Sequence, residues 1–575
     1  MTTKKLIVIL FILCIHAHSQ TPYFEWIKSC GGTGYDISTS VITDKKGNAY
    51  TIGKFENTVD FDPDAGTLNL TSVGSSDIYI SKLSSEGTLL WVKQIGGIGM
   101  DIGYSITLDS INNIYVTGTF YNTVDFDPSS NTYNLTSNGG SDIFVMKLDS
   151  SANFKWAKSF GSNDASYNDN GFSIAVDKAG AVYTTGNFSE TTDFDPGSNI
   201  FNLYAQCHTD IFISKMDSSG KFIWAKQMGG LADAGDAGYS LVLDNFANIY
   251  STGYFNGTSD FNPGIGTFTL SAGTLNSPNV HISKLDSSGN FVWAKQLESP
   301  GYGIAKAISL DKFNNVYTTG SFKGTMDFDT GTGIYNLNSG VSSSCFISKI
   351  DPSGNFIWAK QIGGNHYFSD TEGKSIKTDT NGNVYIAGNF KDSVDINLAT
   401  PSYLVSDGFT DAFIAQLSPS GNIQWAKKIG GVDFDEANSI SIDSSGNVYT
   451  AGNFQTVAYF DNNTSISSMT SAGSSDIFLH KLSHVISNGF IHKNIEEGVF
   501  VYPNPSNGIT EISTPNQLYK DLKIKIYNST GVLVYESIYN GNSQTINLSK
   551  YSNGIYFLKI FSENTIICTK KIIKE

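Results

Sequence analysis

Arginine is absent from the 575-residue sequence: all 37 basic residues are lysines, and 53 acidic residues give a formal net charge of −16. Arginine is the residue best suited to bidentate contacts with phosphate groups and base edges. Its absence and the acidic balance therefore exclude nucleic acid from the expected partners. Long apolar runs are also missing after the N-terminus, so we predict no transmembrane segment.

Cysteine and histidine are rare, with 5 and 8 residues. Four of the cysteines are far apart in sequence, at Cys30, Cys207, Cys345 and Cys568, which favours isolated thiols over a disulfide framework. The histidines occupy unmatched positions, and the H-E-x-x-H, G-x-S-x-G and C-x-x-C signatures are missing. We therefore predict no catalytic residue and no cofactor, and we expect a protein that is not an enzyme.

Residues 1–20 have the pattern of a signal peptide. Lys4 and Lys5 precede an apolar stretch at 6–15, and the small-x-small sequence at 17–19 is a candidate cleavage site. The apolar stretch is too short to span a bilayer. The pattern predicts export.

All seven tryptophans lie in the tripeptide W-x-K, at intervals of 65 to 69 residues. So regular a spacing of a rare residue indicates a sevenfold repeat. The tryptophans are Trp26, Trp91, Trp156, Trp224, Trp293, Trp358 and Trp425.

Each repeat also contains the motif Y-x-x-G-x-F, with an aspartate six residues before the tyrosine and, in all but the third repeat, an asparagine two before it. Aspartate and asparagine close tight turns through local side-chain hydrogen bonds. A third strand, a turn such as D-S-S-G-N and a fourth strand with W-x-K follow. Each repeat is thus predicted to be four short antiparallel strands, the composition of a propeller blade.

The phase of the repeat predicts how the array ends. The mature chain opens with a lone fourth strand at 23–28, and the last repeat stops after its third strand at Leu482. The N-terminal strand would complete the last repeat, so we predict an all-β, seven-bladed β-propeller at 21–484, closed by this strand; a tandem array of sandwich domains is the alternative. The repeats resemble the seven-bladed β-propeller repeat family of bacterial exported proteins over 22–484, a resemblance that implies the fold and little about chemistry.

The register ends in a linker at 485–498, and residues 499–575 are predicted to form a small β-sandwich. This segment contains Y-P-N-P at 502–505, N-G-I-Y-F-L-K-I at 553–560 and a lysine-rich terminus. Together these motifs resemble the C-terminal sorting domain of the type IX secretion system of Bacteroidetes. The resemblance implies the type IX machinery as a partner, export across the outer membrane, removal of the domain, and a product that is secreted or held at the cell surface.

Successive strands of a repeat alternate in direction, so the long connections between second and third strands lie on the same face as the Gly-Gly segments after W-x-K. We call this the loop-rich face. The long connections of the first four repeats carry D-F-[DN]-P, and the motif fades in the later repeats. Their carboxylates are weak candidates for calcium ligands, with turn capping as the favoured alternative. The candidates are Asp60, Asp62, Asp64, Asp125, Asp127, Asp193 and Asp195.

From these observations we expect a secreted or cell-surface propeller that serves as a binding or structural module for a glycan or protein partner at the loop-rich face. The alternative is an extracellular glycan-cleaving propeller enzyme, which needs paired carboxylates near the axis. One or two unique, desolvated acid pairs would favour the enzyme. Aspartates that are equivalent in all repeats would favour a scaffold.

Overall fold

The computed structural model describes residues 21–163, 168–231, 234–273, 277–363, 369–396, 402–461, 467–483, 500–513, 522–539, 543–562 and 565–575. The chain divides into two compact units, Met1–His484 and Val485–Glu575. The predicted signal peptide and the predicted linker lie outside the described residues.

Regular structure in the described part of the N-terminal unit consists of β-strands. In chain order these are β1 (Tyr23–Gly32), β2 (Ile37–Thr43), β3 (Ala49–Phe55), β4 (Thr58–Asp60), β5 (Asn69–Thr71), β6 (Asp77–Leu83), β7 (Leu89–Gly97), β8 (Ile102–Leu108), β9 (Ile114–Asp125), β10 (Asn134–Leu148), β11 (Phe154–Phe160), β12 (Asn170–Val176), β13 (Val182–Phe188), β14 (Thr191–Asp193), β15 (Asn202–Tyr204), β16 (Asp210–Met216), β17 (Phe222–Gly230), β18 (Ala237–Leu243), β19 (Ile249–Phe255), β20 (Thr258–Asp260), β21 (Thr269–Ser271), β22 (Asn279–Leu285), β23 (Phe291–Leu297), β24 (Tyr302–Leu310), β25 (Val316–Asp327), β26 (Asn336–Ile350), β27 (Phe356–Ile362), β28 (Thr371–Thr378), β29 (Val384–Phe390), β30 (Ser393–Asp395), β31 (Tyr403–Val405), β32 (Asp411–Leu417), β33 (Ile423–Gly431), β34 (Glu436–Ile442), β35 (Val448–Phe454), β36 (Val457–Tyr459), β37 (Ser468–Thr470) and β38 (Asp476–Ser483).

Each repeat contributes to a four-stranded antiparallel arrangement, and we number these sheets 1 to 7. Their strand orders are β2-β3-β6-β7, β8-β9-β10-β11, β12-β13-β16-β17, β18-β19-β22-β23, β24-β25-β26-β27, β28-β29-β32-β33 and β34-β35-β38-β1. In sheet 7 the fourth strand comes from the start of the chain, because β1 pairs with β38 from Tyr23 opposite Ser483 to Cys30 opposite Ile477. The Glu25 carboxylate accepts hydrogen bonds from Lys481 and Ser483 of β38.

The repeat signature is used in packing. In sheet 1, the Asp44 carboxylate accepts hydrogen bonds from the backbone N–H and the side-chain amide of Asn48, at 3.0 and 2.8 Å, and so closes the turn between the first two strands. The Tyr50 hydroxyl reaches the same carboxylate at 3.4 Å. The Trp91 indole lies edge-on to Tyr50, and the same Trp–Tyr contact recurs in all seven sheets.

The W-x-K segment also joins neighbouring sheets. The indole N–H of Trp26 in sheet 7 donates to the carbonyl of Ser85, in the turn between the third and fourth strands of sheet 1. Trp156, Trp293 and Trp358 make the corresponding bond to the next sheet along the chain. Apolar cores therefore lie between sheets as well as within them: Val41, Ala49 and Leu83 of sheet 1 share one buried cluster with residues of sheet 7.

The two glycines after W-x-K have separate roles. A Cβ on Gly96 would fall 2.1 Å from the carboxyl carbon of Asp77, and a Cβ on Gly97 would fall 2.2 Å from the carbonyl oxygen of Thr123. The first glycine thus makes room for a buried carboxylate, and the second lets the backbone approach the next repeat. The long connections, predicted to be loops, instead fold into hairpins such as β4–β5, whose first strand pairs with the end of the preceding repeat's fourth strand.

The C-terminal unit contains β39 (Phe500–Tyr502), β40 (Ile509–Ser513), β41 (Leu522–Asn528), β42 (Leu533–Tyr539), β43 (Ser543–Asn547), β44 (Gly554–Ser562) and β45 (Thr565–Lys574). They form the sheets β39-β40-β43 and β42-β41-β44-β45, which share one apolar core. The Y-P-N-P motif is tied to the last strand: the Asn504 side chain donates to the carbonyl of Lys571 and accepts from the N–H of Ile573.

Candidate functional site

The first strand of every sheet contains a β-bulge, and the residue at the bulge differs from sheet to sheet. Bulges redirect side chains and are frequent beside functional sites. The seven bulge residues are Thr39, Tyr104, Phe172, Tyr239, Lys306, Lys374 and Asn438. The residue that follows the bulge is serine in six of the seven repeats, so variation is concentrated at one position.

Consecutive bulge residues are linked by side-chain contacts. Tyr104 and Phe172 have ring centroids 5.3 Å apart, and Phe172 and Tyr239 5.0 Å apart. The Lys306 ammonium lies 4.3 Å from the Tyr239 ring centroid and 3.7 Å from the Glu372 carboxylate. The bulge residues of sheets 2 to 4 therefore form an aromatic arc that ends at a charged group.

This charged group of side chains begins with Lys306 and Glu372 and continues through sheets 6 and 7. The Lys374 ammonium lies 3.1 Å from the Glu436 carboxylate and donates to the Asn438 side chain at 3.0 Å. Asn438 in turn donates to the carbonyl of Ser38 in sheet 1. Variable, chemically distinct side chains thus follow one another along the first strands, next to the loop-rich face.

Beside the charged group, a cleft of about 530 Å³ opens between sheets 5 and 6 on the loop-rich face. Its volume is in the range of small-ligand sites. Its lining consists of charged and hydrogen-bonding side chains with one aromatic ring, and comprises Tyr302, Ser321, Lys323, Ser343, Asp370, Thr371, Glu372, Asn389, Lys391 and Thr410.

Two cations of the cleft, Lys323 and Lys391, occupy the position directly after Y-x-x-G-x-F. In the other repeats that position holds Glu56, Tyr121, Ser189, Asn256 and Gln455. Both lysines are exposed, and within the described ranges neither ammonium group has a hydrogen-bond or ion-pair partner. Lys306, by contrast, is engaged by Glu372.

Buried aspartates form a second, repeated pattern that the sequence reasoning missed. One precedes the first strand and accepts backbone N–H groups: Asp101 accepts from Gly97 at 2.8 Å and from Tyr121 at 3.1 Å. A second buried aspartate begins the third strand of most sheets, as Asp77 does in sheet 1. Asp77 lies near Asp101 of sheet 2, across the junction of the two sheets. Desolvation raises the pKa of Asp101, Asp142 and Asp435 to about 7 and that of Asp236 to about 8.

The sector around sheet 5 departs from this pattern. Gly303 stands where the first aspartate is expected, and a Cβ on it would fall 2.2 Å from Met326 Cε. Asn279 and Ser344 replace the third-strand aspartates of sheets 4 and 5. In sheet 6 the buried Thr371 occupies the aspartate position, and the carboxylate of the preceding Asp370 is exposed and accepts from the N–H and hydroxyl of Ser343 at 2.9 and 3.0 Å.

The structure places the calcium candidates in the turns of the hairpins, where all but Asp64 accept local backbone hydrogen bonds. Asp60 accepts from the N–H groups of Asp62 and Leu68, at 3.1 and 2.8 Å. Asp62 accepts from Asp64, whose own carboxylate pairs with Lys28. The same turn bonds occur at Asp125, Asp127, Asp193 and Asp195. In the part of the chain that the structure describes, no three acidic, histidine or cysteine side chains are grouped to hold a metal ion.

These contacts give a prediction for calcium. If the carboxylates cap turns, adding millimolar Ca²⁺ to chelator-treated protein should leave the melting temperature unchanged, because a ligand stabilises only when it binds the folded state. Differential scanning calorimetry with and without Ca²⁺ measures this. A rise with Ca²⁺ that disappears in the Asp60→Ala/Asp62→Ala variant would instead establish calcium binding in the first hairpin.

The buried aspartates predict an unusual pH dependence. A carboxyl whose pKa is raised by folding stabilises the protein below its unfolded pKa, and this stabilisation is lost as the pH rises through the folded value. Stability should therefore fall from pH 6.5 to 8.5, with Asp236 alone contributing ~2 kcal/mol. This window lies above the range where His281 and His480, whose pKa burial lowers to about 3, oppose the trend.

Thermal unfolding at several pH values tests this dependence. Asp236→Asn keeps the size of the side chain and should reduce the slope between pH 6.5 and 8.5. Asp286→Asn is the matched control, because local hydrogen bonds hold the Asp286 pKa below its usual range and it stays ionised throughout this window. Equal slopes for the wild type and Asp236→Asn would contradict the assignment.

The class of protein follows from the fold and from family models. The model described as "Beta-propeller repeat" matches residues 90–119, 357–389 and 424–453, and the model described as "Secretion system C-terminal sorting domain" matches residues 500–575. The chain is an all-β protein with β-propeller repeats and a type IX secretion sorting domain. This sorting domain indicates a secreted or cell-surface protein that the type IX system recognises.

Individual relatives add little about chemistry. An uncharacterized WD repeat-containing protein, L264, of Acanthamoeba polyphaga mimivirus is 24% identical over 83% of this chain and 39% of its own length. The regulatory protein FlaEY of Caulobacter vibrioides is 26% identical over 36% of this chain and 22% of its own length. The chain thus spans well under half the length of either relative.

A solved structure of PorZ, described as an essential bacterial surface component of the type IX secretion system of Porphyromonas gingivalis, covers 96% of this chain and is itself fully covered. Its identity is 10% and its TM-score 0.24, too low to define a shared arrangement of the chain. Among the described residues, no helix is long and apolar enough to cross a membrane.

Proposed function

We propose that sheets 1 to 7 are the blades of one seven-bladed propeller, closed by β1. Three observations support closure. The first strands contact one another in sequence order, and β2 also contacts β34. The N–H of Val41 in sheet 1 donates to the hydroxyl of Ser439 in sheet 7 at 3.0 Å, as Leu241 does to Ser173 between sheets 4 and 3. Sheets 1 and 7 also share a buried core.

We infer that this propeller is an extracellular binding module, without enzymatic activity, whose glycan or protein ligand sits on the loop-rich face. The observation that carries this proposal is the contrast between residues that are the same in every repeat and residues that differ from repeat to repeat. The repeated residues are engaged in turns and packing, whereas the bulge residues and the cleft of sheets 5 and 6 vary and are chemically diverse. Variable groups on a rigid scaffold are the usual arrangement of a binding site.

The glycan-cleaving alternative receives less support. Most desolvated carboxylates recur from repeat to repeat and are held by backbone N–H groups, as expected for a scaffold. The cleft itself contains Asp370 and Glu372, so the alternative is testable there. A hydrolase should lose turnover of its glycan in Asp370→Asn and Glu372→Gln, while a binding module should release no reducing sugar in any form.

A binding screen tests the main proposal. The chain from residue 21 to residue 575 is presented to a glycan array and to surface-protein fractions. We expect ligands whose binding weakens at least tenfold in Tyr239→Ala or Glu372→Gln. Lys178→Gln, on an exposed turn of the opposite face, is the matched control. Binding that is insensitive to both substitutions would contradict a site at the loop-rich face.

A further inference from the structure

Uncharged residues replace buried aspartates at three positions around sheet 5. Gly303, Asn279 and Ser344 stand where other repeats have buried aspartates. In the same sector, Lys323 and Lys391 occupy a position that carries no cation in the other five repeats. In a chain of net charge −16, the cleft between sheets 5 and 6 thus contains two cations that the other repeats lack at this position, beside the carboxylates of Asp370 and Glu372.

The cleft offers these cations to a ligand. Lys323 and Lys391 both line it, both are exposed, and the described residues provide no counter-ion for either ammonium group. The carboxylate of Glu372 is already engaged by Lys306, and that of Asp370 by Ser343. An anionic group entering the cleft would therefore meet two cations that the described residues leave unpaired.

The rest of the lining indicates what carries the anionic group. The Tyr302 side chain is 36% exposed and lies opposite Lys323 in the strand register, so an apolar ring stands beside a cation. Ser343 and Asn389 add hydroxyl and amide groups, and Asp370 and Glu372 add acceptors. A wall of one aromatic ring among many hydrogen-bonding groups suits a sugar, which has an apolar face and a rim of hydroxyls, better than an apolar molecule.

Resting on the proposed binding function, we propose that the cleft between sheets 5 and 6 binds an anionic saccharide. Lys323 and Lys391 contact its carboxylate or sulfate group, Tyr302 packs against the sugar ring, and Asp370 and Glu372 accept hydrogen bonds from its hydroxyls. The shared chemistry of the ligand is an anion on a sugar, and a uronate or a sulfated sugar could supply it.

Isothermal titration of the chain from residue 21 to residue 575 tests this proposal. The probes are trigalacturonate, its fully methyl-esterified form, 6-sulfated N-acetyllactosamine and the same sugar without sulfate. We expect at least one anionic probe to bind tenfold or more tightly than its neutral counterpart, and its affinity to fall with added salt. The preferred probe of the two pairs identifies the carboxylate or the sulfate as the source of the charge.

Variants localise the interaction. Lys323→Gln with Lys391→Gln should weaken binding of the anionic probe at least tenfold and bring it close to that of the neutral sugar. The matched control is Lys178→Gln with Lys312→Gln, two exposed lysines in the turns of the opposite face. Melting temperatures of both double variants should equal that of the parent protein, because none of the four side chains is buried.

Three results would overturn the inference. Equal affinity for charged and neutral probes would show that the cleft does not select an anion. If that binding were lost in Tyr302→Ala, the cleft would still be a sugar-binding site, so the proposed binding function would stand and the anionic ligand would not. An acidic peptide that binds more tightly than either saccharide would replace the sugar with a protein partner. Absence of binding by every probe would remove the anionic saccharide, and a negative screen would then remove the proposed function as well.

Discussion

Deleting residues 21–32 is expected to prevent the N-terminal unit from folding to a soluble, cooperative state. These residues form β1, which pairs with β38 along seven positions from Tyr23 to Cys30. Without β1, the N–H and C=O groups of β38 would form an open strand edge, a template for association with other chains. The deletion also removes Ile27 and Trp26 from two apolar clusters. Size-exclusion chromatography and thermal unfolding should show aggregation or loss of the transition.

Two further variants test which property of β1 stabilises the unit: its tryptophan side chain or its pairing with β38. Trp26→Ala keeps the strand but removes the indole that contacts Tyr449 and donates to the Ser85 carbonyl, and it should cost roughly 3 kcal/mol. Moving residues 21–32 to follow Ser483 through a D-S-S-G-N turn should restore stability, because other repeats connect their third and fourth strands in this way. A deleted protein that melts at the parent temperature would show that β1 is dispensable.

The sequence was sufficient to predict the four main strands of each repeat and the tight turns between them. The spacing of Trp, Tyr, Gly and Asp repeats along the chain because these residues form the same strands and tight turns in each of the seven sheets. The Asp44–Asn48–Tyr50 turn, for example, is closed entirely by residues six positions apart or fewer. The fourth-strand character of residues 23–28 was visible from W-x-K, and the structure pairs this segment with β38.

The hairpins were not predictable to the same extent. Their strands, such as β4 and β5, are only three residues long, which is too short for an alternating pattern. Their pairing partner is the Gly-Gly segment of another repeat, and no local signal connects the two. The D-F-D-P carboxylates were therefore interpreted from composition, with their turn bonds visible only in the structure.

The site was harder still, because it consists of exceptions to the repeat. A bulge shifts the strand register by one residue, and nothing in the composition of β24 indicates that Lys306 occupies it. A recurring G-x-S around Tyr104, Phe172 and Tyr239 was an available signal. The third-strand aspartates were visible as a recurring S-D-I or T-D-I, but their burial depends on the glycine of the strand beside them. The cleft could not be predicted from the sequence, because its lining residues come from two sheets whose relative position only the structure shows.

Removing residues 484–575 is expected to abolish surface export while leaving the N-terminal unit folded. All described hydrogen bonds of sheets 1 to 7 lie within residues 21–483, so the truncated chain keeps its strand pairing and its cores. The sorting domain, which matches residues 500–575, is the part that the type IX system recognises. In a host with this system, the truncated form should remain in the periplasm, and fractionation with surface proteolysis measures the difference. Equal surface exposure of both forms would contradict the assignment.

A fusion tests whether the sorting domain is sufficient and whether its fold matters. Residues 485–575 joined to a periplasmic reporter protein should carry that reporter to the surface. The matched control lacks residues 565–575, which removes β45 from the edge of β44 and takes Ile572 out of the apolar core. It also removes Lys574, whose ammonium group donates to the Tyr551 carbonyl and the Asn553 side chain. We expect no export of the control, because the loss of β45 leaves a strand edge and an incomplete core; export of both fusions would place the signal outside the folded sheet.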